Sequence, residues 1–160
     1  MRIKLTKETI KRIYNSHNKN GFGYYPVDDS HLIVMLDRAL LMVVEASDDW
    51  NDLISGLNIV PDDRLPNLIE TLPISMKYNI VNGDKLDNSS FIKKCTYYRL
   101  TLDDTVYLFD DKYIKYFIKK NYLSYDLFSS GRIFGVIVYE GSDEDYYNIV
   151  GIVMGVNDNG

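Results

Sequence analysis

The spacing of apolar and polar positions predicts two amphipathic helices set among many short strands. In the stretch from Asp110 to Tyr122, helical spacing gathers Tyr113, Ile114, Phe117 and Ile118 on one face and Lys112, Lys115 and Lys119 on the other. Asp110 or Asp111 suits the N-cap of this helix, and Lys119 and Lys120 fall at its C-terminal end, where the helix dipole favours cations. A second helix is predicted from Lys7 to about His17, with Thr6 as its N-cap. Ile10, Ile13 and Tyr14 make its apolar face, with Lys11, Arg12, Asn15 and Lys19 roughly opposite.

Period-two alternation supplies the strands. Arg2 to Leu5 leads into the first helix, Asn18 to Gly23 breaks it, and Tyr24–Val27, His31–Leu36 and Leu40–Glu45 follow as successive strands joined by short Asp-containing turns. Between Ala46 and Asn88 the pattern weakens. Asp48 is placed to cap a short helix through Trp50, Leu53, Ile54 and Leu57, and one or two helical turns are expected around Leu65 to Leu72 between Pro61, Pro66 and Pro73. Met76 to Val81 reads as a strand closed by the turn Asn82-Gly83-Asp84. Phe91–Leu102 and Thr105–Phe109 are expected to pair across Asp103-Asp104. Ser129-Ser130-Gly131 is read as a loop, and Gly135–Tyr139 is expected to pair with Tyr147–Met154. The order of elements at the end of the chain echoes that at the beginning. The prediction is an α+β fold, rich in antiparallel β-sheet, with the two amphipathic helices packed on one sheet face and a pseudo-repeat in element order. It is read as one compact unit over residues 1–160, divisible into subdomains 1–88 and 89–158.

Charge adds what the apolar pattern cannot. The net charge of −5 conceals a segregation: residues 2–20 carry six Lys or Arg against Glu8, and residues 110–120 carry four Lys against two Asp. The rest of the chain is strongly acidic, and its carboxylates gather at turns such as Asp28-Asp29, Asp62-Asp63, Asp103-Asp104 and Asp143-Glu144-Asp145. Both basic windows coincide with the predicted helices. Fourteen tyrosines, with abundant Asn, Asp, Ile and Lys, fit the codon bias of an AT-rich genome such as that of a low-GC bacterium or its phage. No apolar run reaches the length of a membrane span and the start of the chain lacks a signal-type apolar core, so a cytoplasmic location is expected.

Candidate chemistry is sparse. Two histidines and the single Cys95 supply neither a zinc ligand set nor material for nucleophilic catalysis, and no nucleophile elbow is present. Cys95 is read as a small buried hydrophobe, His17 as stabilised by a helix C-terminus or exposed, and His31 as half exposed. Acidic pairs such as Asp48 with Asp52 lack calcium-loop spacing. Trp50 is read as a core anchor, and the Tyr97-Tyr98 and Tyr146-Tyr147 pairs as one ring in and one out. The expectation is a protein with no catalysis, no cofactor and no metal.

Three stretches carry a resemblance. MRIKLTKETIKRI resembles the opening of a bacterial-type DNA sliding clamp, where a first strand leads directly into a basic helix. Ser30 to Val44 resembles that family's strand, Asp-containing tight turn, Arg and Leu, and second strand. Asp111-Lys112-Tyr113-Ile114, followed at a distance by Gly151 to Val156, resembles the helix start and closing strand of the last clamp domain. The chain departs from the family in lacking the first-turn glycine, in having Gly155 where proline is usual, and in being under half the usual length. What the resemblance implies is a phage-encoded, clamp-like protein that contacts duplex phosphates without reading sequence, through Lys7, Lys11, Arg12, Lys112, Lys115, Lys119 and Lys120, and that forms a homo-oligomer to encircle DNA. The alternative, from a different class, is a small acidic phage or mobile-element inhibitor that binds a host or defence protein through its acidic and tyrosine-rich surface.

Overall fold

The computed structural model describes residues 3–17, 21–28, 30–46, 56–120, 123–140 and 149–156, apart from the side chains of Lys7 and Ala46. Strand β1 (Ile3–Leu5) leads into helix α1 (Lys7–His17), followed by β2 (Phe22–Pro26), β3 (His31–Leu36) and β4 (Leu40–Ala46). Helix α2 (Leu65–Ser75) precedes β5 (Phe91–Lys94), β6 (Tyr97–Leu102) and β7 (Thr105–Asp110). Helix α3 (Asp111–Ile118) and strands β8 (Leu123–Ser130), β9 (Ile133–Glu140) and β10 (Ile149–Met154) close the chain. The fold is α+β and dominated by antiparallel sheet, as the apolar pattern predicts.

The larger sheet has the order β2-β3-β4-β10-β9-β8, with β1 parallel to β4. Its strands are buried on both faces, and this explains why residues 32–36 and 40–44 are almost uninterrupted apolar runs. On one face Leu32, Val34, Leu36, Leu40, Met42 and Val44 meet Ile10 and Ile13 of α1 and Tyr113, Ile114 and Phe117 of α3. On the other, Ile33, Leu41, Val43, Ile137 and Ile152 meet Leu65, Leu68 and Leu72 of α2. The helices α1 and α3 thus feed one core, and α2 covers the opposite side. Phe117 is fully buried, which stabilises the seat of α3 by about 1.5–3 kcal/mol. Gly151 makes that seat possible, because a Cβ there would stand 2.4 Å from the Phe117 ring. The small sheet β5-β6-β7 completes the α1/α3 layer through Phe91, Tyr98, Leu100 and Phe109.

The stretch between β4 and β5, where the sequence pattern fades, wraps around the larger sheet. Asp62 N–H donates to the Tyr24 carbonyl, and the Tyr24 hydroxyl donates to the Ile59 carbonyl, so residues 59–62 cover the β2 edge. The chain then forms α2, and residues 80–86 run along the β8 edge, with backbone bonds from Val81 to Leu127 and both ways between Leu86 and Tyr125. Both outer edges are closed by loop backbone rather than by strands, which prevents edge-to-edge pairing. Lys85 anchors this second strap from within. Its Nζ lies 2.7 Å from Asp126 Oδ2 and 3.7 Å from the centre of the Tyr139 ring, while Asn82 accepts the Leu127 N–H at 2.7 Å and donates to Asp126.

Several expectations are corrected. Strand β2 begins at Phe22, inside the stretch read as a break. Helix α2 continues to Ser75, because Pro66 sits in the first turn, where its missing N–H has no partner to lose, and Pro73 lies near the end. Met76–Val81 is not a strand but a 3₁₀ turn, Lys77–Asn79, followed by a single bridge from Ile80 to Phe128. Phe91–Leu102 is a hairpin rather than one strand, and Cys95 is exposed in its turn at φ 54° rather than buried. Helix α3 stops at Ile118, because the chain must reverse into β8 and Lys120 N–H closes a tight turn onto the Phe117 carbonyl at 2.9 Å. Lys119 and Lys120 therefore lie past the helix. Strand β8 was not expected, and Ser129 and Ser130 end that strand instead of forming a loop. The predicted Trp50 helix, Lys19, Asp48, Asp52, Asp143–Asp145 and Tyr146-Tyr147 lie outside the described residues.

Candidate nucleic-acid interface

Helix α1 starts at Thr6, whose hydroxyl accepts the Thr9 N–H at 3.2 Å, and helix α3 starts at Asp110, whose carboxylate accepts the Lys112 N–H at 3.1 Å. Each buries its apolar face in the shared core, which turns the predicted cations outward. Lys11 and Arg12 of α1, Lys112 and Lys115 of α3, and Lys119 and Lys120 just beyond it are all exposed. The side chain of Lys7 lies outside the description.

The two helices meet at a carboxylate that the sequence reading did not single out. Asp37, in the β3–β4 turn, accepts the Tyr113 hydroxyl at 2.6 Å and stands 2.8 Å from His17 Nδ1 at the end of α1. Asp37 and Arg38 both adopt positive φ, 54° and 57°, the geometry of a tight hairpin turn that favours Asn and Gly. Gly21 makes room for this arrangement, since a Cβ there would overlap the Asp37 carboxylate at 1.9 Å. Burial opposes ionisation of Asp37, but hydrogen bonds from Tyr113 and His17 and the charges of His17 and Lys112 hold its pKa below the ordinary value. Burial, reinforced by Asp37, pushes the Tyr113 hydroxyl far above its usual range, so this proton is held rather than exchanged near neutrality. The junction ties both helices to the β3–β4 turn. Further along, burial raises the Tyr116 hydroxyl while the charge of Arg12 on α1 partly offsets it.

Three of the turn carboxylates are occupied by their own loops. Asp28 accepts backbone N–H groups of Ser30 and His31 and pairs with the His31 ring, which lowers its pKa to about 2. Asp62 holds the Arg64 guanidinium in a two-pronged pair at 2.9 and 2.8 Å, and Asp87 caps a 3₁₀ turn through Ser89 and Ser90. The helix cations differ. Among the described residues Lys11, Arg12, Lys115, Lys119 and Lys120 have no ion-pair partner, and Lys112 reaches only Asp110 at 3.8 Å. Lys93 and Lys94, which sequence reasoning missed, add exposed charge on the β5–β6 hairpin. Helix α3 lies along that hairpin, with Asp111 N–H bonded to the Thr96 carbonyl at 3.0 Å and the Asn88 amide donating to the Lys120 carbonyl.

Among the described residues no cluster of three or more His, Cys, Asp or Glu is placed to hold a metal ion, and no helix is long and apolar enough to cross a membrane. Comparison with protein-family models, curated proteins and solved structures gives no match.

Proposed function

We propose that this chain is a non-catalytic, clamp-like DNA-associated protein that contacts duplex phosphates through the outer faces of α1 and α3. One observation carries the reading: among the described residues Lys11, Arg12, Lys115, Lys119 and Lys120, on or just beyond two helices joined at Asp37, have no carboxylate partner, while Asp28, Asp62 and Asp87 are held by their own turns. Charge left unpaired at an exposed surface is available to a polyanion, and phosphate contacts need no base-reading side chains. The recurrence of strand, helix and three strands, on either side of the β4–β10 seam, supports a pseudo-repeat of the kind a clamp domain uses. Assembly of several copies would concentrate the positive face around a duplex.

The test is a fluorescence-anisotropy titration of a labelled duplex at rising salt. Binding should be independent of sequence, and the log–log salt slope should steepen by about 0.9 per phosphate contacted. Replacing Lys11, Lys115 and Lys119 together by Glu should abolish binding and leave the unfolding midpoint unchanged, since all three are exposed. Absence of binding at micromolar protein and low salt, in every oligomeric state, overturns the proposal. A protein-directed inhibitor is the second reading, favoured by exposed Ile92 and Val106 on the small sheet and by Asp103 and Asp104 at its turn. Neutralising Asp103 and Asp104 should spare DNA binding and would abolish partner capture only under that second reading.

A further inference from the structure

The β3–β4 turn faces two ways. Asp37 is committed to the α1/α3 side by His17 and Tyr113, and the next residue, Arg38, lines a cleft on the α2 side of the sheet. The cleft has a volume of about 250 Å³. Its walls are apolar: Leu41 and Ile152 from the sheet, Leu68 and Leu72 from α2, and the thioethers of Met35 and Met154, which adapt readily to an apolar guest. Among the described residues that line it, the charged ones are Arg38 and Arg64, both cationic and both exposed. They are not equivalent. Arg64 is engaged by Asp62, whereas Arg38 has no ion-pair partner among the described residues, and the carboxylate next to it in sequence is held on the other face. Arg38 sits at φ 57° as the second central residue of the tight turn closed by the Ala39 N–H on the Leu36 carbonyl.

A pocket with an apolar floor and a free guanidinium at its rim is complementary to a molecule with an alkyl body and one negative end. We propose that this cleft binds a small amphipathic carboxylate, its chain between α2 and the sheet and its carboxylate on Arg38. The volume sets the length. At roughly 30 Å³ per heavy atom, the share of one water in the liquid, 250 Å³ holds on the order of eight atoms, the carbons of octanoate, with its two oxygens outside at the Arg38 rim. This also lies just under the ~300–1,000 Å³ of sites built for larger ligands. The proposal does not depend on DNA binding, because the cleft and the basic helices lie on opposite faces of the sheet.

The experiment is isothermal titration of the full chain with hexanoate, octanoate, decanoate and dodecanoate, with octanol and octylammonium as controls. Affinity should rise about fourfold per methylene up to octanoate, the factor expected for burying one CH₂, and then level off as further carbons remain in water. Octanol should bind at least tenfold more weakly than octanoate, and octylammonium more weakly still. Arg38→Gln should reduce octanoate affinity about tenfold and leave octanol unchanged. Leu72→Trp, which fills the cleft, should abolish both, with Leu68→Phe as a milder blocking variant if the first does not fold. Equal binding of octanoate and octylammonium, affinity that keeps rising through dodecanoate, octanoate binding indifferent to Arg38→Gln, or no binding at millimolar ligand would each overturn the assignment.

Discussion

Replacing Lys85 by Met tests whether the strap over the β8 edge is held by its buried charge pair. Lys85 and Asp126 retain only 16% and 13% side-chain exposure, so the pair is weakly screened by water. Removing the cation takes from the mostly buried Asp126 carboxylate its ion-pair partner and leaves, among the described residues, the Asn82 amide at 3.3 Å. An uncompensated buried charge costs about 3–5 kcal/mol, and the lost contact with the Tyr139 ring adds about 1 kcal/mol. With a urea slope of about 2 kcal/mol per molar, the unfolding midpoint should fall by roughly 2–3 M. The double variant Lys85→Met with Asp126→Leu removes both charges and should recover more than half of that loss, since apolar replacement of a buried pair is close to neutral. Urea titration followed by tyrosine fluorescence measures the midpoints. Hydrogen exchange localises the effect, with the Val81 and Leu86 amides, which bond to β8, exchanging faster than those of the β4–β10 seam. A single variant within ~0.5 kcal/mol of wild type, or a double variant no better than the single, would refute the argument.

Gly151→Ala should destabilise the fold by about 1–3 kcal/mol, because the new methyl group meets the Phe117 ring at 2.4 Å and the Leu41 carbonyl at 3.0 Å, and thermal unfolding would register it as a lower Tm. Stability should also fall in acid. Asp28, Asp37, Asp62 and Asp87 all have folded pKa values below the ordinary carboxylate value, so their contribution is complete above about pH 4 and is lost as pH drops through the folded values, which a series of thermal melts from pH 6 to pH 2 will show. A flat profile across that range would mean that these turn contacts do not persist in solution.

What was legible in the sequence follows from how locally each element is determined. Helix α1 runs from Lys7 to His17 as its cap and apolar stripe require, and β3 and β4 are legible because a strand buried on both faces is a continuous apolar run. Strand β8 was hidden for the converse reason. Ser124 and Asp126 are polar and buried, and the partner that makes Asp126 tolerable, Lys85, lies far away in the chain. The course of residues 56–90 could not be read because its hydrogen bonds go to strand edges elsewhere in the fold rather than to its own neighbours. For the candidate interface, the exposed cations of the helices follow from periodicity alone. The Asp37 clamp does not, since His17, Asp37 and Tyr113 are brought together only by the packing of two distant helices over one hairpin.

The seam between β4 and β10 has a consequence for how the protein is made. Met42 faces Gly151 across it, so the centre of the larger sheet joins residues far apart in the chain. A ribosome delivers the first three-stranded hairpin layer long before its partner exists, and the inner edge of β4 must wait through the synthesis of, among the described residues, two helices and five strands before β10 itself. Only β1, pairing with Val44 to Ala46, shields part of that edge in the interval. Closing a loop of this length is entropically slow, and an apolar strand left open in the meantime invites pairing between nascent chains. The yield of folded protein should therefore depend on translation speed and chaperone supply more than its equilibrium stability would suggest.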